Sequence, residues 1–385
     1  MQKYKKALSL LLTVLLLFPF FCIPTDGATA PLALSAKSAL LMEADSGRVL
    51  WAHGADAPLP MASTTKIMTA LVALELAAPD TAIPIPASAV GVEGSSVYLV
   101  EGEVRTLEEL LYALLLESAN DAAAAIAIGL SGSIEDFAKE MNATAVRLGL
   151  SSTHFTNPHG LSDDEHYTTA YELALITQAA LRIPLIAEIV ATRKFSIPHP
   201  TADGVRVLIN HNRLLRTYEG CIGVKTGFTK QSGRCLVSAA ERDGVRLIAV
   251  TLHASDDWKD HTAMLDYGFS ICTSVSLAEI DAYRIPLPLV GSKDGYVLVH
   301  NKDALRITLP ASHGPIRSVV ELARFDYAPL PAAATVGRVR FFCDSDRDGT
   351  EEEIGQVPLV TAAEAPARPV RRGFWAWLRS LFQRK

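Results

Sequence analysis

Ser63 and Lys66 stand three residues apart in Ser63-Thr64-Thr65-Lys66. On a helix that spacing puts a hydroxyl and an amine on one face. Two further groupings follow in order, Ser118-Ala119-Asn120 and Lys225-Thr226-Gly227. Attack on an amide or ester carbonyl needs a nucleophile, a proton acceptor within reach and donors for the oxyanion. Ser63 is the candidate nucleophile and Lys66 the candidate base. An ordinary lysine, with a pKa of about 10.4, is protonated at neutral pH and cannot take a proton. Enclosure among apolar or cationic groups lowers that value, and the apolar run 67–74 buries the helix that carries the pair. A Ser–Lys pair alone reads as a helix N-cap beside a solvated amine; the ordered triple carries the catalytic reading.

Ser118 and Asn120, two apart, cannot share a helix face. A break in the helix is predicted there, from which both side chains reach a cleft, since Ser and Asn tolerate turns. Ser118 would relay protons between Lys66 and a leaving amine, while Asn120 would hold the Lys66 amine and a substrate amide. A helix boundary with local hydrogen bonds is the alternative. Lys225-Thr226-Gly227 falls on a predicted edge strand facing the cleft. Gly227, lacking a side chain, lets a substrate backbone approach as an added strand. Thr226 offers a hydroxyl and Lys225 a positive charge to a carboxylate. The backbone N–H groups of Ser63 and Phe228 form the natural oxyanion pair. His154, His159 and His166 make a loose cluster with surface or structural roles. Neither a metal nor another cofactor is expected. Asp344, Asp346, Asp348 and Gly349 resemble the start of a calcium loop, but Gly355 stands where the closing Glu is needed. An acidic hairpin turn is the reading.

The elements that position these residues are legible around them. Segments 39–43 and 49–52 flank Asp45-Ser46-Gly47-Arg48 as a hairpin. Thr106-Leu107-Glu108-Glu109 is a capping box opening a helix towards Ser118. Helices are predicted over 122–130, 134–148 and 167–181. Strands 223–229, 234–240 and 246–252 follow, joined by turns at Gln231-Ser232-Gly233 and Arg242-Asp243-Gly244, then a helix over 259–267 closing at Gly268. This order favours antiparallel pairing and excludes a βαβ nucleotide fold. Short alternating runs beyond residue 271 predict a separate β domain. The organisation expected is an α+β catalytic domain over 35–270, an antiparallel sheet flanked by helices with a helical subdomain, and a small all-β domain over 271–361.

The ends speak to location. Lys3, Lys5 and Lys6 precede an apolar run over 7–23, which reads as a secretory signal over 1–30. Its cleavage point lies after Ala30 or a few residues later near Ala36, and an uncleaved anchor is the alternative. After an Ala/Pro/Arg-rich linker over 362–373, residues 374–385 place Phe374, Trp377, Leu378, Leu381 and Phe382 at helical spacing among Arg and Lys. That stretch is too short to span a bilayer and reads as an amphipathic helix lying on a membrane surface. A last helix docked on its own protein is the alternative. The bulk of the chain is thus expected outside the cytoplasm. At 385 residues with 49% hydrophobic and 20% charged content, there is material for two packed domains. A net charge of -6 and the lack of a basic-aromatic repeat argue against nucleic acid as a partner. Cys221, Cys235, Cys272 and Cys343 show no metal spacing; one bridge or buried free thiols both fit.

Three wider segments carry the motifs: Pro60-Met61-Ala62-Ser63-Thr64-Thr65-Lys66-Ile67-Met68-Thr69-Ala70, then Asn157-Pro158-His159-Gly160-Leu161 with Tyr167-Thr168-Thr169-Ala170, then Gly223-Val224-Lys225-Thr226-Gly227-Phe228-Thr229. In these the chain resembles the D-alanyl-D-alanine carboxypeptidases, the low-molecular-weight penicillin-binding proteins of serine peptidase family S11. The resemblance runs essentially end to end. It implies a penicillin-binding, serine β-lactamase-like fold and removal of the terminal D-alanine from peptidoglycan pentapeptide stems through an acyl-enzyme. It also implies β-lactam antibiotics as covalent inhibitors. Carried over by motif, Ser63 is the nucleophile, Lys66 the base, Ser118 and Asn120 the second element, and Lys225 with Thr226 the carboxylate-binding element.

The chain departs from the pattern in two places. Phe228 stands where some relatives have His. The stretch Asp256-Asp257-Trp258-Lys259-Asp260-His261 contains no Arg, where some relatives place one near the substrate carboxylate, so recognition leans on Lys225 and Thr226. The same stretch resembles subgroups from Gram-positive spore formers, including sporulation carboxypeptidases. A β-lactamase needs a placed deacylating base, and no Glu-x-x-x-Asn segment occurs: Glu165 is followed four later by Thr169. A D,D-endopeptidase acting on cross-links is the nearer alternative. A catalytically silent wall-binding protein is another, against which the intact motifs argue.

Overall fold

The computed structural model describes residues 32–200 and 204–369. The export segment and the basic-aromatic helix expected at the two ends lie outside the described residues. Strand β1 (Ser38–Glu43) turns into β2 (Val49–His53). The Glu43 carboxylate fastens the turn by accepting the N–H groups of Asp45 and Ser46 at 3.2 and 2.7 Å. A 3-10 turn, Ala62–Thr65, then runs into helix α1 (Lys66–Leu76). Every residue of α1 from Lys66 to Ala73 is buried. A helix apolar all round belongs at the centre of its domain, and helices pack against α1 from several sides.

The short strands β3 (Ala82–Pro84) and β4 (Val104–Thr106) pair antiparallel and lead into α2 (Leu107–Leu116). The expected capping box is present: the Glu109 N–H donates to Thr106 Oγ1 at 3.2 Å and the Thr106 N–H to Glu109 Oε2 at 3.1 Å. Helices α3 (Asn120–Ser131), α4 (Ile134–Arg147), α5 (Ala170–Leu181) and α6 (Pro184–Ala191) complete the helical part. The helix expected from residue 167 starts three residues later. Tyr167 and Thr168 instead form extended bridges with His154 and Leu59, and Thr169 caps α5 through its side chain. Local propensity yields there to backbone pairing with distant partners.

Strands β5 (Lys194–Pro198) and β6 (Val205–Ile209) form a small ribbon, followed by a single helical turn, α7 (Leu214–Thr217). The three expected strands then appear as β7 (Cys221–Thr229), β8 (Gly233–Arg242) and β9 (Val245–Ala254). With β1 and β2 they form one antiparallel sheet in the order β2-β1-β9-β8-β7. Its central strands are buried on both faces, which requires helices on both sides. These are α5 and α8 (Asp257–Ile271). The helix expected to close at Gly268 runs three residues beyond it. A Cβ at Gly268 would sit 2.6 Å from Leu247 Cδ1 and 2.9 Å from Leu41 Cδ2. This glycine therefore lets the helix lie close on the sheet.

At Cys272 the chain becomes all-β. Strand β10 (Cys272–Ala278) precedes β11 (Arg284–Val290), β12 (Tyr296–His300), β13 (Leu305–Pro310) and β14 (Ile316–Leu322); β15 (Asp326–Tyr327), β16 (Thr335–Cys343) and β17 (Glu352–Thr361) end the run. Strands β10 and β13 pair, and the others form a sheet in the order β14-β16-β17-β12-β11-β15. Two small apolar clusters fill this part, one around Val339, Phe341 and Leu359, the other around Leu287 and Val299. The acidic stretch at 344–349 is the turn between β16 and β17, where the Asp344 carboxylate accepts the N–H groups of Asp348 and Gly349. Arg48, from the β1–β2 turn, pairs with Asp346. The described residues from Ser35 onward form one compact unit. Cys221, Cys235, Cys272 and Cys343 are free thiols.

Candidate active site

The α1 start, the α2–α3 break and the β7 edge converge on a cavity of about 280 Å³, lined in part by Ser63, Ser118, Thr226 and Gly227. Each comes from a different local device. Ser63 lies in the 3-10 turn, one residue after Ala62, whose φ of 48° is left-handed. Ser118 occupies the break between α2 and α3 with φ 61°. Left-handed backbone in residues other than Gly is uncommon and costs of order 1 kcal/mol or more. Two such residues at one cleft mark positions set by the surrounding fold. Strand β7 is the sheet edge expected for Lys225-Thr226-Gly227.

Lys66 is fully buried, and its Nζ has three neighbours: Ser63 Oγ at 2.9 Å, Asn120 Oδ1 at 2.7 Å and the His159 carbonyl at 2.6 Å. The orientation of the Asn120 amide is fixed independently, because its Nδ2 donates to the Glu93 carbonyl at 2.5 Å. Two of the three neighbours can therefore only accept. A neutral amine can satisfy this set by giving two N–H to the carbonyl oxygens and turning its lone pair to the Ser63 hydroxyl, and an ammonium by donating to all three. Burial holds the Lys66 amine well below the usual lysine range, and the charge of Lys225 pushes the same way, partly offset by Asp121. Lys66 is also the first residue of α1, where the positive end of the helix dipole disfavours a cation.

The loop at 157–161 supplies the back wall. The Asn157 side chain accepts the Gly160 N–H at 2.7 Å, and Thr69 Oγ1 donates to the Pro158 carbonyl at 2.6 Å. Gly160 has φ 85°, and a Cβ there would lie 1.9 Å from the Ala62 carbonyl oxygen. Only glycine lets this loop press its His159 carbonyl onto Lys66. Of the two roles expected for the histidines, His159 and His166 take the structural one, while His154 is partly exposed. His159 and His166 are buried, and burial pushes their pKa values down to about 3 and about 4. His166 Nε2 lies 2.8 Å from Thr65 Oγ1, tying the loop to the nucleophile turn.

Gly227 plays a second part besides the one expected. A Cβ there would meet Ser63 N at 3.0 Å and the Met61 carbonyl at 3.1 Å. Its bareness lets β7 approach the nucleophile turn, which brings the edge of the strand beside the Ser63 N–H. Lys225 differs from expectation in position. It is 1% exposed, its Nζ donates to the Thr226 carbonyl at 3.0 Å, and it is not among the residues lining the cavity. Burial pushes its pKa down to about 7, partly offset by Glu117. Its nearest effect is on Lys66. Phe228 is exposed at the cavity rim.

Residues the sequence reading passed over, and Asp257 and Trp258 from the stretch it singled out, complete the walls. Buried Asp121 accepts the Ser96 hydroxyl at 2.6 Å and the Leu99 N–H at 3.0 Å, holding the segment that brings Ser95 to the cavity. Arg206 bridges half-buried Glu103 and the Tyr98 carbonyl on the same segment. Arg234 and Asp257, joined at 2.9 Å, line the cavity with Trp258. Only the Asp257-Trp258 stretch is singled out in the sequence; the convergence of these residues is tertiary. Among the described residues no group of three or more His, Cys, Asp or Glu is placed to hold a metal ion.

This arrangement can carry out serine acyl transfer: a hydroxyl beside an amine whose charged form is disfavoured by burial, and N–H donors on a helix start and a sheet edge. Comparison with known proteins gives the same chemistry. The D-alanyl-D-alanine carboxypeptidase family (Peptidase S11) matches residues 25–256. The D-alanyl-D-alanine carboxypeptidase DacF of Bacillus subtilis (strain 168) is 37% identical over 278 residues, which cover 69% of this chain and 71% of that one. DacA of Escherichia coli (strain K12), also a D-alanyl-D-alanine carboxypeptidase, is 30% identical over 352 residues, covering 86% and 84%. Penicillin binding protein 5 from Haemophilus influenzae superposes with a TM-score of 0.64 at 26% identity, over 86% of this chain and 98% of that one. The Ser63 turn, the β7 edge strand and the family match agree, and this chain belongs to the S11 family as a serine-type D-alanyl-D-alanine carboxypeptidase.

Proposed function

We propose that Ser63 is the residue acylated and that Lys66 is its base. The Ser63 proton passes to the Lys66 lone pair as Oγ bonds to the carbonyl carbon of the penultimate D-alanine. The oxyanion is held by the N–H groups of Ser63 and Phe228. Collapse breaks the amide bond, and the proton returns through Ser118 to the leaving amine of the terminal D-alanine. Water then opens the ester, with Lys66 again taking a proton. Asn120 positions the amine and the substrate amide, and Gly227 admits the peptide along the β7 edge. Thr226 offers its hydroxyl to the terminal carboxylate, while the recessed Lys225 lends positive field and keeps Lys66 neutral. The observation that carries this reading is the contact set of Lys66, two carbonyl acceptors and one hydroxyl.

The substrate is the peptidoglycan stem peptide ending in D-Ala-D-Ala, and β-lactams acylate the same serine. The catalytic domain spans 35–270 and the β domain 271–361, with a linker over 362–373. Export by the segment 1–30 and peripheral attachment through the basic-aromatic stretch 374–385 would put the enzyme on the outer face of the cytoplasmic membrane. The Asp257-Trp258 stretch and the similarity to a Bacillus relative support a place among sporulation carboxypeptidases.

The test is D-alanine release from a pentapeptide ending in D-Ala-D-Ala, with intact mass measured after penicillin treatment. Release of one D-alanine and a penicilloyl adduct, both abolished in Ser63→Ala, are expected. Acylation with cleavage of cross-linked peptide alone would favour the endopeptidase reading. Neither adduct nor release would remove Ser63 from the mechanism.

A further inference from the structure

A peptidase that removes one C-terminal residue must recognise a free carboxylate one residue beyond the scissile bond. The cation the sequence offered, Lys225, is buried with its Nζ turned to the Thr226 carbonyl. The stretch 256–261 brings Asp257 and Trp258 to the cavity, not a positive charge. Among the described lining residues, Arg234 alone is permanently charged positive.

Its setting goes beyond that of a surface ion pair. Arg234 stands opposite Phe228 in the β7–β8 ladder, and Phe228 is two residues from Thr226. Strand alternation thus puts the Thr226, Phe228 and Arg234 side chains on one face. Arg234 Nε donates to Asp257 Oδ1 at 2.9 Å. The Asp257 side chain is 4% exposed and that of Arg234 is 46% exposed. The same Asp257 oxygen accepts the Trp258 N–H at 3.1 Å, which fixes the carboxylate at the start of α8. One edge of the guanidinium is therefore pinned from behind. Among the described residues its two Nη groups have no hydrogen-bond partner, and this free edge has the fork geometry that takes a carboxylate through two parallel bonds.

We propose that Arg234, braced by Asp257, receives the free carboxylate of the substrate's terminal D-alanine together with the Thr226 hydroxyl, and so sets the preference for an unblocked C-terminus. The proposal rests on the carboxypeptidase reading above. It makes Arg234 a substrate-binding residue and Asp257 a positioning residue. It also accounts for the missing Arg in 256–261: the charge comes from the neighbouring strand, and 256–261 contributes the carboxylate that orients it.

The test compares two peptides that differ only at the end, one with a free terminal carboxylate and one with a terminal amide. In Arg234→Gln, kcat/KM for the acid should fall about 10- to 100-fold, mainly through KM, and change less than about threefold for the amide. Arg234→Lys should recover part of the acid preference. Asp257→Asn should raise KM for the acid with kcat little changed, a split that general loss of structure would not give. Calorimetric binding of both peptides to the Ser63→Ala protein, with and without Arg234→Gln, keeps this test separate from turnover. Preference for the acid that disappears with Arg234→Gln supports the site even where turnover is absent, in which case the catalytic reading alone fails. Equal affinity for acid and amide, or a preference that survives Arg234→Gln, overturns the proposal.

Discussion

Around Ser63, two lysines are sunk to 0% and 1% exposure, and among the described residues neither has a carboxylate within ion-pair distance. On the C-terminal sheet the opposite holds: Arg338 and Arg340 reach Glu321, Arg340 also reaches Glu353, and Arg317 reaches Glu351, all near the surface. Surface pairs are screened by water and contribute little. A buried, uncompensated amine is unfavourable in its charged form, and in the proposed mechanism that penalty favours a neutral Lys66. The two enclosed lysines and the arginines of the C-terminal sheet thus handle positive charge in contrary ways. The less comfortable arrangement belongs to the residues proposed to perform the chemistry.

The sharpest way to break this contrast is Lys66→Met. D-alanine release should fall by about 10³-fold or more, while the melting temperature holds or rises because a buried amine is replaced by an apolar side chain. Retention of a tenth of the activity would remove Lys66 as the base. In the wild type, kcat/KM should decline on acidification as Lys66 gains a proton. The Lys225→Met substitution removes the neighbouring charge that lowers the Lys66 pKa, so this acid limb should move to higher pH.

A second substitution probes the other side of the comparison. Phe341→Ala removes a large buried side chain from the small β core, a change that costs about 3–5 kcal/mol in well-packed cores. Denaturant unfolding should show that loss, with D-alanine release kept within about threefold. A parallel collapse of activity would mean that the β region holds the catalytic wall in place.

The smallest effect is a slope in stability with pH. Lys225 has a folded pKa of about 7, below the unfolded lysine value of about 10.4. Between those values the unfolded chain binds the extra proton, so stability should rise as pH increases through the window. The denaturant midpoint should be higher at pH 9 than at pH 7, and Lys225→Met should flatten the difference. An unchanged slope would show that Lys225 is solvated.

Much of this was legible along the chain. The capping box at Thr106, the hairpin at Asp45 and the break at Ser118 are short-range features, fixed by side chains within a few residues of one another. The errors came where distant partners intervened. The start of α5 was displaced by pairing of Thr168 with Leu59. The end of α8 was displaced because Gly268 serves contact with Leu247 rather than a helix stop.

The site divides along the same line. By itself the sequence determined the order of the three motifs and the class of reaction, and it offered Ser63 and Lys66 as the pair proposed above, because these depend on residue type and local spacing. Tertiary structure alone decided that a backbone carbonyl at His159 completes the amine's contacts and that Gly160 makes room for it. It also turned Lys225 inward and brought Arg234 and Asp257 together at the cavity. Burial and close approach are properties of segments far apart in the chain, and no local spacing encodes which of two cations will face water and which will be enclosed.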